Sequence, residues 1–237
     1  MAIHEIWVYL SGSPLLALIL TLGAYHLGTL AYERAGRNPL ANPVLIAVVL
    51  IATVIQTIDM PYATYFEGAQ FVHFLLGTAT VALAVPIYRG LAALRGRIVP
   101  LLVALVAGGA ASIASAVGIA LLLDADPAVV GALWTKSVTA PIAMGVSERM
   151  GVSPTLTAVF AVSTGILGAV LARFVLDAVG SRAWWQRGFA LGVASHGIGT
   201  SRAFSVSEEA GTYAGLAMGL HGIAGAVLIP LVFRAAA

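Results

Sequence analysis

The chain has 237 residues, of which 60% are hydrophobic and only 9% charged, and its mean hydropathy is +0.98. A water-soluble domain carries about 25% charged residues, so this composition excludes a soluble fold and dictates an integral membrane protein. There is no cysteine, which removes disulfide and thiolate chemistry, and the net charge of +2 comes from arginines at segment ends rather than from a nucleic-acid-binding patch.

Residues 1–13 are mildly amphipathic and are expected to lie on the membrane surface as a separate N-terminal segment. They have no basic n-region and no small-residue cleavage site, so a cleaved signal peptide is not expected. A membrane-crossing helix takes about 20 apolar residues. Five runs meet or approach that length, at 14–32, 43–58, 100–123, 156–176 and 210–233. Three more are interrupted by polar or helix-breaking residues, at 71–88, 128–144 and 189–205. The expectation is an all-α multi-pass protein with about eight membrane elements. Glycine, alanine and serine are dense in 100–123, and Gly211, Gly215 and Gly219 recur four apart. Both patterns read as close helix packing.

The two halves resemble each other. Glu33-Arg34-Ala35-Gly36 recurs as Glu148-Arg149-Met150-Gly151, followed by Asn42-Pro43 in one half and Ser153-Pro154 in the other. Gly77-Thr78 recurs as Gly199-Thr200. The shared order predicts two copies of one unit, 14–123 and 124–237. Arg34, Arg37, Arg89, Arg95 and Arg97 mark one set of connections in the first copy, and Asp59 and Glu67 the other. In the second copy Arg182 and Arg187 stand in the acidic place, and Glu208 and Glu209 in the basic one. Basic connections face the cytoplasm, so the copies read as inverted. Four simple spans per copy do not invert, so at least one element per copy is expected to re-enter, with broken helices meeting at the midplane.

Three stretches carry the residues that suit a polar site. In 128–144, Lys136 is the one lysine of the chain and is flanked by Ser137, Thr139 and Pro141. A lysine at the centre of a span costs about 2.5–3.5 kcal/mol, and Pro141 removes a backbone donor. Such backbone persists at membrane depth only when buried in protein or lining a wet cavity. A compact cation beside hydroxyls suits a carboxylate. In 71–88, Gly77, Thr78 and Thr80 precede Pro86 and can open a helix to present amides to an anion. In 189–205, His196 is followed by Gly197, Gly199, Thr200 and Arg202. The histidine can bond substrate or carry a proton, and the arginine can clamp a carboxylate or mark an interfacial end. His26, His73 and His221 lack such a context and read as structural. No metal-ligand spacing, dinucleotide loop or catalytic dyad is present, so neither a cofactor nor an enzymatic activity is expected.

Together these stretches resemble the LrgB/CidB family, whose members are described as holin-like or antiholin-like autolysis modulators and include the plastidal glycolate/glycerate translocator. The resemblance rests on Lys136-Ser137-Val138-Thr139 with Pro141-Ile142-Ala143-Met144, on Ala79-Thr80-Val81-Ala82-Leu83-Ala84-Val85-Pro86, and on His196-Gly197-Ile198-Gly199-Thr200 with Arg202. Thr78, Thr135 and Ser205 depart from the family pattern, the first two standing in place of prolines and the third in place of a glutamate. The resemblance implies a secondary transporter of small monocarboxylates (glycolate, glycerate, lactate or pyruvate) in the cytoplasmic membrane. It also implies a small LrgA/CidA-like membrane partner, and a homo-oligomer is expected. The alternative is a non-transporting regulator of murein hydrolase activity that acts with a holin-like partner.

Overall fold

The computed structural model describes residues 14–82, 85, 88 and 96–236. Pro86 therefore lies outside the described residues, as do the surroundings of Gly77 and the side chain of Thr80. Helices and connecting turns account for the described residues, with no strand among them. The chain falls into two compact units, one ending at Val81 and the other beginning at Ala82.

The first unit holds α1 (Pro14–Arg34), a 3-10 turn (Pro39–Ala41), α2 (Pro43–Thr57) and α3 (Tyr62–Ala82). Asn42 starts α2 by accepting from the amides of Val44 and Leu45 at 2.9 and 3.1 Å, while Pro43 occupies the first turn, where a missing N–H costs nothing. Ala17, Tyr65 and Ala69 form a small core with Ile51 and Ile55, and the hydroxyls of Thr21 and Tyr65 bond across it at 2.7 Å. α3 runs through Gly77 unbroken, and exposed Thr78 donates back to the Leu75 carbonyl at 2.9 Å.

The second unit holds α4 (Ile98–Leu122), α5 (Pro127–Leu133), α6 (Ala140–Arg149), α7 (Pro154–Ala178), α8 (Trp184–Val206) and α9 (Glu208–Ala236). Asp126 caps α5 and Ser153 caps α7, each followed by proline. Among the described residues, α1, α4, α7 and α9 are long and apolar enough to cross a membrane, and Leu15, Val103, Phe174 and Leu231 are among many exposed apolar side chains. Such an apolar exterior suits hydrocarbon, not water.

Two elements of this unit turn back on themselves. Thr135 and Ser147 are twelve residues apart and share a hydrogen bond of 3.1 Å, whereas a straight helix separates such residues by about 18 Å. Gly131 likewise packs on Val152. α5 and α6 are therefore the arms of a hairpin that starts and ends where α4 finishes and α7 begins. α8 is broken at Ser195 (φ −133°, ψ 15°) and His196 (φ 40°, ψ −131°). Gly188 and Gly192 pack on the carbonyls of Ala210 and Ala214, so residues 184–194 run alongside the start of α9 in the same direction. Gly199 returns against the Leu191 carbonyl. Residues 197–206 thus retrace the path of 184–194, and α8 is a second hairpin. It enters where α7 ends, opposite to the end entered by α5–α6. Both re-entrant elements fall within residues 124–237, whereas the sequence pattern predicts at least one in each copy.

The two ends of this unit differ in charge. Arg97, Arg173, Arg182, Arg187 and Arg202 stand at the end where α8 enters, with Asp177, Glu208 and Glu209. Asp124, Asp126 and Glu148 stand at the other, with Arg149 and Arg234.

Candidate functional site

The two hairpin tips come to rest near the middle of the long helices. Residues 134–139 are not helical, although α6 resumes with Pro141 in its first turn. Pro141 therefore starts a half-helix rather than kinking a long one. The loop is anchored by a buried chain of hydroxyls, from Thr135 to Ser147 at 3.1 Å and from Ser147 to Thr157 at 2.7 Å. Each hydroxyl can both donate and accept, so the chain satisfies itself without charge.

Lys136 leaves this loop towards the middle of α4, where its ammonium donates to Ser112 Oγ at 2.9 Å. Among the described residues no carboxylate pairs with it. A half-buried cation with one neutral partner retains two further N–H donors for an anion. Ser137 Oγ lies 3.2 Å from His221 Nε2, on the middle of α9. His221 is 5% exposed and lies within electrostatic reach of both Lys136 and His196. Its sequence context marks it as structural, whereas the fold sets it against the first tip.

The second tip is held by α7. His196 Nε2 lies 2.8 Å from the Ala161 carbonyl. A carbonyl only accepts, so Nε2 carries a proton, and Nδ1 is the ring nitrogen left for another partner. The ring fits because Gly165 has no side chain, and Ser195 rests on Gly168 for the same reason. His196 is held at φ 40°, a conformation costing a non-glycine residue of order 1–3 kcal/mol. The break therefore falls at Ser195 and His196, and Gly197 begins the returning half. Gly199 serves the close approach of the two arms. Thr200 donates to the His196 carbonyl at 2.8 Å and touches Met218 Sδ at 3.8 Å.

One two-turn stretch of α9 supports both tips. Met218 meets Gly197 and Thr200, His221 meets Ser137, Gly222 meets Ile142 and Gly225 meets Val138. Two buried hydroxyls at the tips, Thr139 Oγ1 and Ser195 Oγ, have no hydrogen-bond partner. Unpaired buried polar atoms cost about 1–3 kcal/mol each, and both of these fall at helix breaks. A cavity of about 370 Å3 runs between α4 and α8 from Pro100 and Gln186 to Ser112 and Ala194, reaching the hydroxyl that holds Lys136.

Of the residues singled out in the sequence, Ser137 and Thr200 touch this stretch of α9 directly, and Lys136, Thr139 and His196 belong to the same two tips, Lys136 reaching α4 and His196 reaching α7. Arg202 does not. It lies six residues beyond the tip, about 9 Å down the returning arm, where Nη1 bonds Ser205 Oγ at 3.3 Å. Gly77, Thr78 and Thr80 belong to α3 of the other unit. Ser112 and His221 were missed because each looks like a stray polar residue in an apolar run, and Ser147 and Thr157 because they sit beside polar segment ends; only the fold ties them to the tips.

Residues 21–235 match the LrgB-like family. The uncharacterized protein YwbG of Bacillus subtilis is 32% identical over 209 residues, covering 88% of this chain and 92% of the relative. The holin-like protein CidB of Staphylococcus epidermidis is 26% identical over 92% of this chain and 94% of its own length. The antiholin-like protein LrgB of Bacillus mycoides is 26% identical over 92% and 95%. No solved structure matches. The chain belongs to the LrgB-like family.

Proposed function

We propose that this protein is a secondary transporter of small 2-hydroxy or 2-oxo monocarboxylates. The observation that supports it best is the pair of opposed hairpins whose tips carry Lys136, Ser137, Thr139, Ser195 and His196 at mid-span, with, among the described residues, a cation lacking a counter-ion and two hydroxyls lacking partners. A small carboxylate supplies what is missing. Its carboxylate faces Lys136, and its hydroxyl or keto oxygen bonds the free hydroxyls. Broken helices that meet at the midplane are the usual plan of such carriers. Movement of one hairpin against the other on α9 opens the site to each side in turn, and the arginine-rich end faces the cytoplasm.

A second reading is favoured by the names of the relatives, which describe holin-like and antiholin-like proteins. In it the chain is a membrane regulator that assembles with a small holin-like partner, and the helix breaks serve packing alone. Uptake of labelled glycolate into proteoliposomes containing this chain separates the two. Saturable uptake that unlabelled pyruvate competes away is expected for the carrier. Absence of uptake both alone and with the small partner rejects the carrier and favours the regulator, and unsaturable leakage of solutes marks a pore.

A further inference from the structure

The arginine end of the second unit contains a cavity that the proposed transport does not use. Its volume is about 460 Å3, and it lies between α7, α8 and the start of α9. Arg173, Arg182, Arg187 and Arg202 line it, and Asp177 is the one acid among the lining residues. Arg187 bonds Asp177 Oδ1 at 2.7 Å and the Ser181 carbonyl at 2.8 Å, and its guanidinium lies 5.6 Å over the Trp184 ring. Arg173 is 3.9 Å from Asp177, with a side chain 67% exposed. Four cations thus face one carboxylate. The rest of the wall includes Leu176, Leu191 and Val206.

Placement distinguishes this cavity from a mouth open to water. Leu171, Phe174 and Val175 flank Arg173 and are exposed, as are Phe204 and Val206 on the returning arm of α8. The arginines therefore stand at the edge of an apolar exterior, at headgroup depth. Arginine forks match phosphate oxygens in paired hydrogen bonds, and the leucine and valine wall accommodates hydrocarbon. Basic pockets between membrane helices on the cytoplasmic side bind acidic headgroups.

We propose that this cavity binds the phosphodiester headgroup of an anionic phospholipid, with an acyl chain along α7. The lipid contacts α7 through Arg173, the α7–α8 connection through Arg182, and the two arms of α8 through Arg187 and Arg202. Its occupancy clamps the foot of the hairpin whose tip carries His196. The site needs only the membrane placement of the unit and stands whether or not the chain carries carboxylates.

The test uses the full-length protein in neutral detergent, titrated with dioleoyl phosphatidylglycerol or dioleoyl phosphatidylcholine and followed by thermal melting and native mass spectrometry. Phosphatidylglycerol is expected to raise the melting temperature and phosphatidylcholine to leave it unchanged. Near-surface basic residues contribute about a factor of five each, so Arg173→Gln with Arg182→Gln is expected to weaken phosphatidylglycerol about 30-fold. The control Arg149→Gln with Arg234→Gln removes the same charge from the other end and should bind as the wild type does. Equal weakening in both double variants overturns the site, as does equal response to the two lipids. Inorganic phosphate at millimolar concentration that reproduces the shift overturns the lipid assignment in favour of a free anion. If Arg173→Gln with Arg182→Gln does not fold, photoactivatable phosphatidylglycerol on the wild type replaces it. Cross-links within 173–187 and 202–206 support the site, and their absence there rejects it.

Discussion

Lys136 is costly to place, and the described residues offer little to offset the cost. Its ammonium has one hydroxyl partner, Ser112, at 2.9 Å, and it sits among fully buried neighbours in Thr135 and Ser137. Desolvating a cation that has no counter-ion among the described residues is unfavourable, so the residue opposes stability in the empty protein, and in the proposed carrier the carboxylate offsets that cost. Lys136→Met should therefore lose uptake by about 30-fold or more while its melting temperature stays equal to or above that of the wild type. Proteoliposome uptake and thermal melting on one preparation check both halves. Normal uptake removes Lys136 from the site, and a large drop in melting temperature makes it a structural residue instead. His196 is a contrasting case. Its proton is committed to the Ala161 carbonyl, so it holds the tip of α8 in place and offers only Nδ1 to a guest.

At the level of the helices, the close approach of α8 to α9 depends on backbone touching backbone. A Cβ on Gly192 would press on the Ala214 carbonyl and on the Ala217 methyl group. Neither can move without shifting α9, on whose middle turns both tips rest. Gly192→Ala should therefore destabilise by about 1–3 kcal/mol, the range for overpacking a close-packed core. Gly118 in α4 has nothing within 4 Å of its added methyl, so Gly118→Ala should be neutral or gain up to about 1 kcal/mol from helix propensity. Melting temperatures of the two variants in the same detergent compare them, and equal values would remove the packing argument. The hydroxyl chain Thr135–Ser147–Thr157 does the corresponding work for α5 and α6, by fixing two short arms that are too brief to be stable alone.

For the whole second unit, opposed re-entry fixes which connections share a side. Cysteines placed at Val179 and Glu209, before and after α8, should react with a membrane-impermeant maleimide from the same side, the cytoplasm. Cysteines at Asp124 and Glu148 should react from the opposite side. The chain contains no cysteine of its own, so each label reports one position. A straight α8 would put Val179 and Glu209 on opposite sides, and that labelling result would refute the hairpin. The sequence by itself determined the membrane class, the long spans and the neighbourhoods of two helix breaks. It did so because hydrocarbon punishes every exposed polar group, so that Lys136, Pro141 and the His196-Gly197 pair stand out locally against an apolar background. It did not distinguish the uninterrupted α3 from the broken α8, since Gly77-Thr78 and Gly199-Thr200 look alike and only packing on α7 and α9 holds the second open. It also left His221, Ser112 and Ser147 without a role and placed Arg202 with the site rather than below it. Those assignments needed the tertiary structure, because a hairpin brings together residues twelve or more apart whose meeting no helical period encodes.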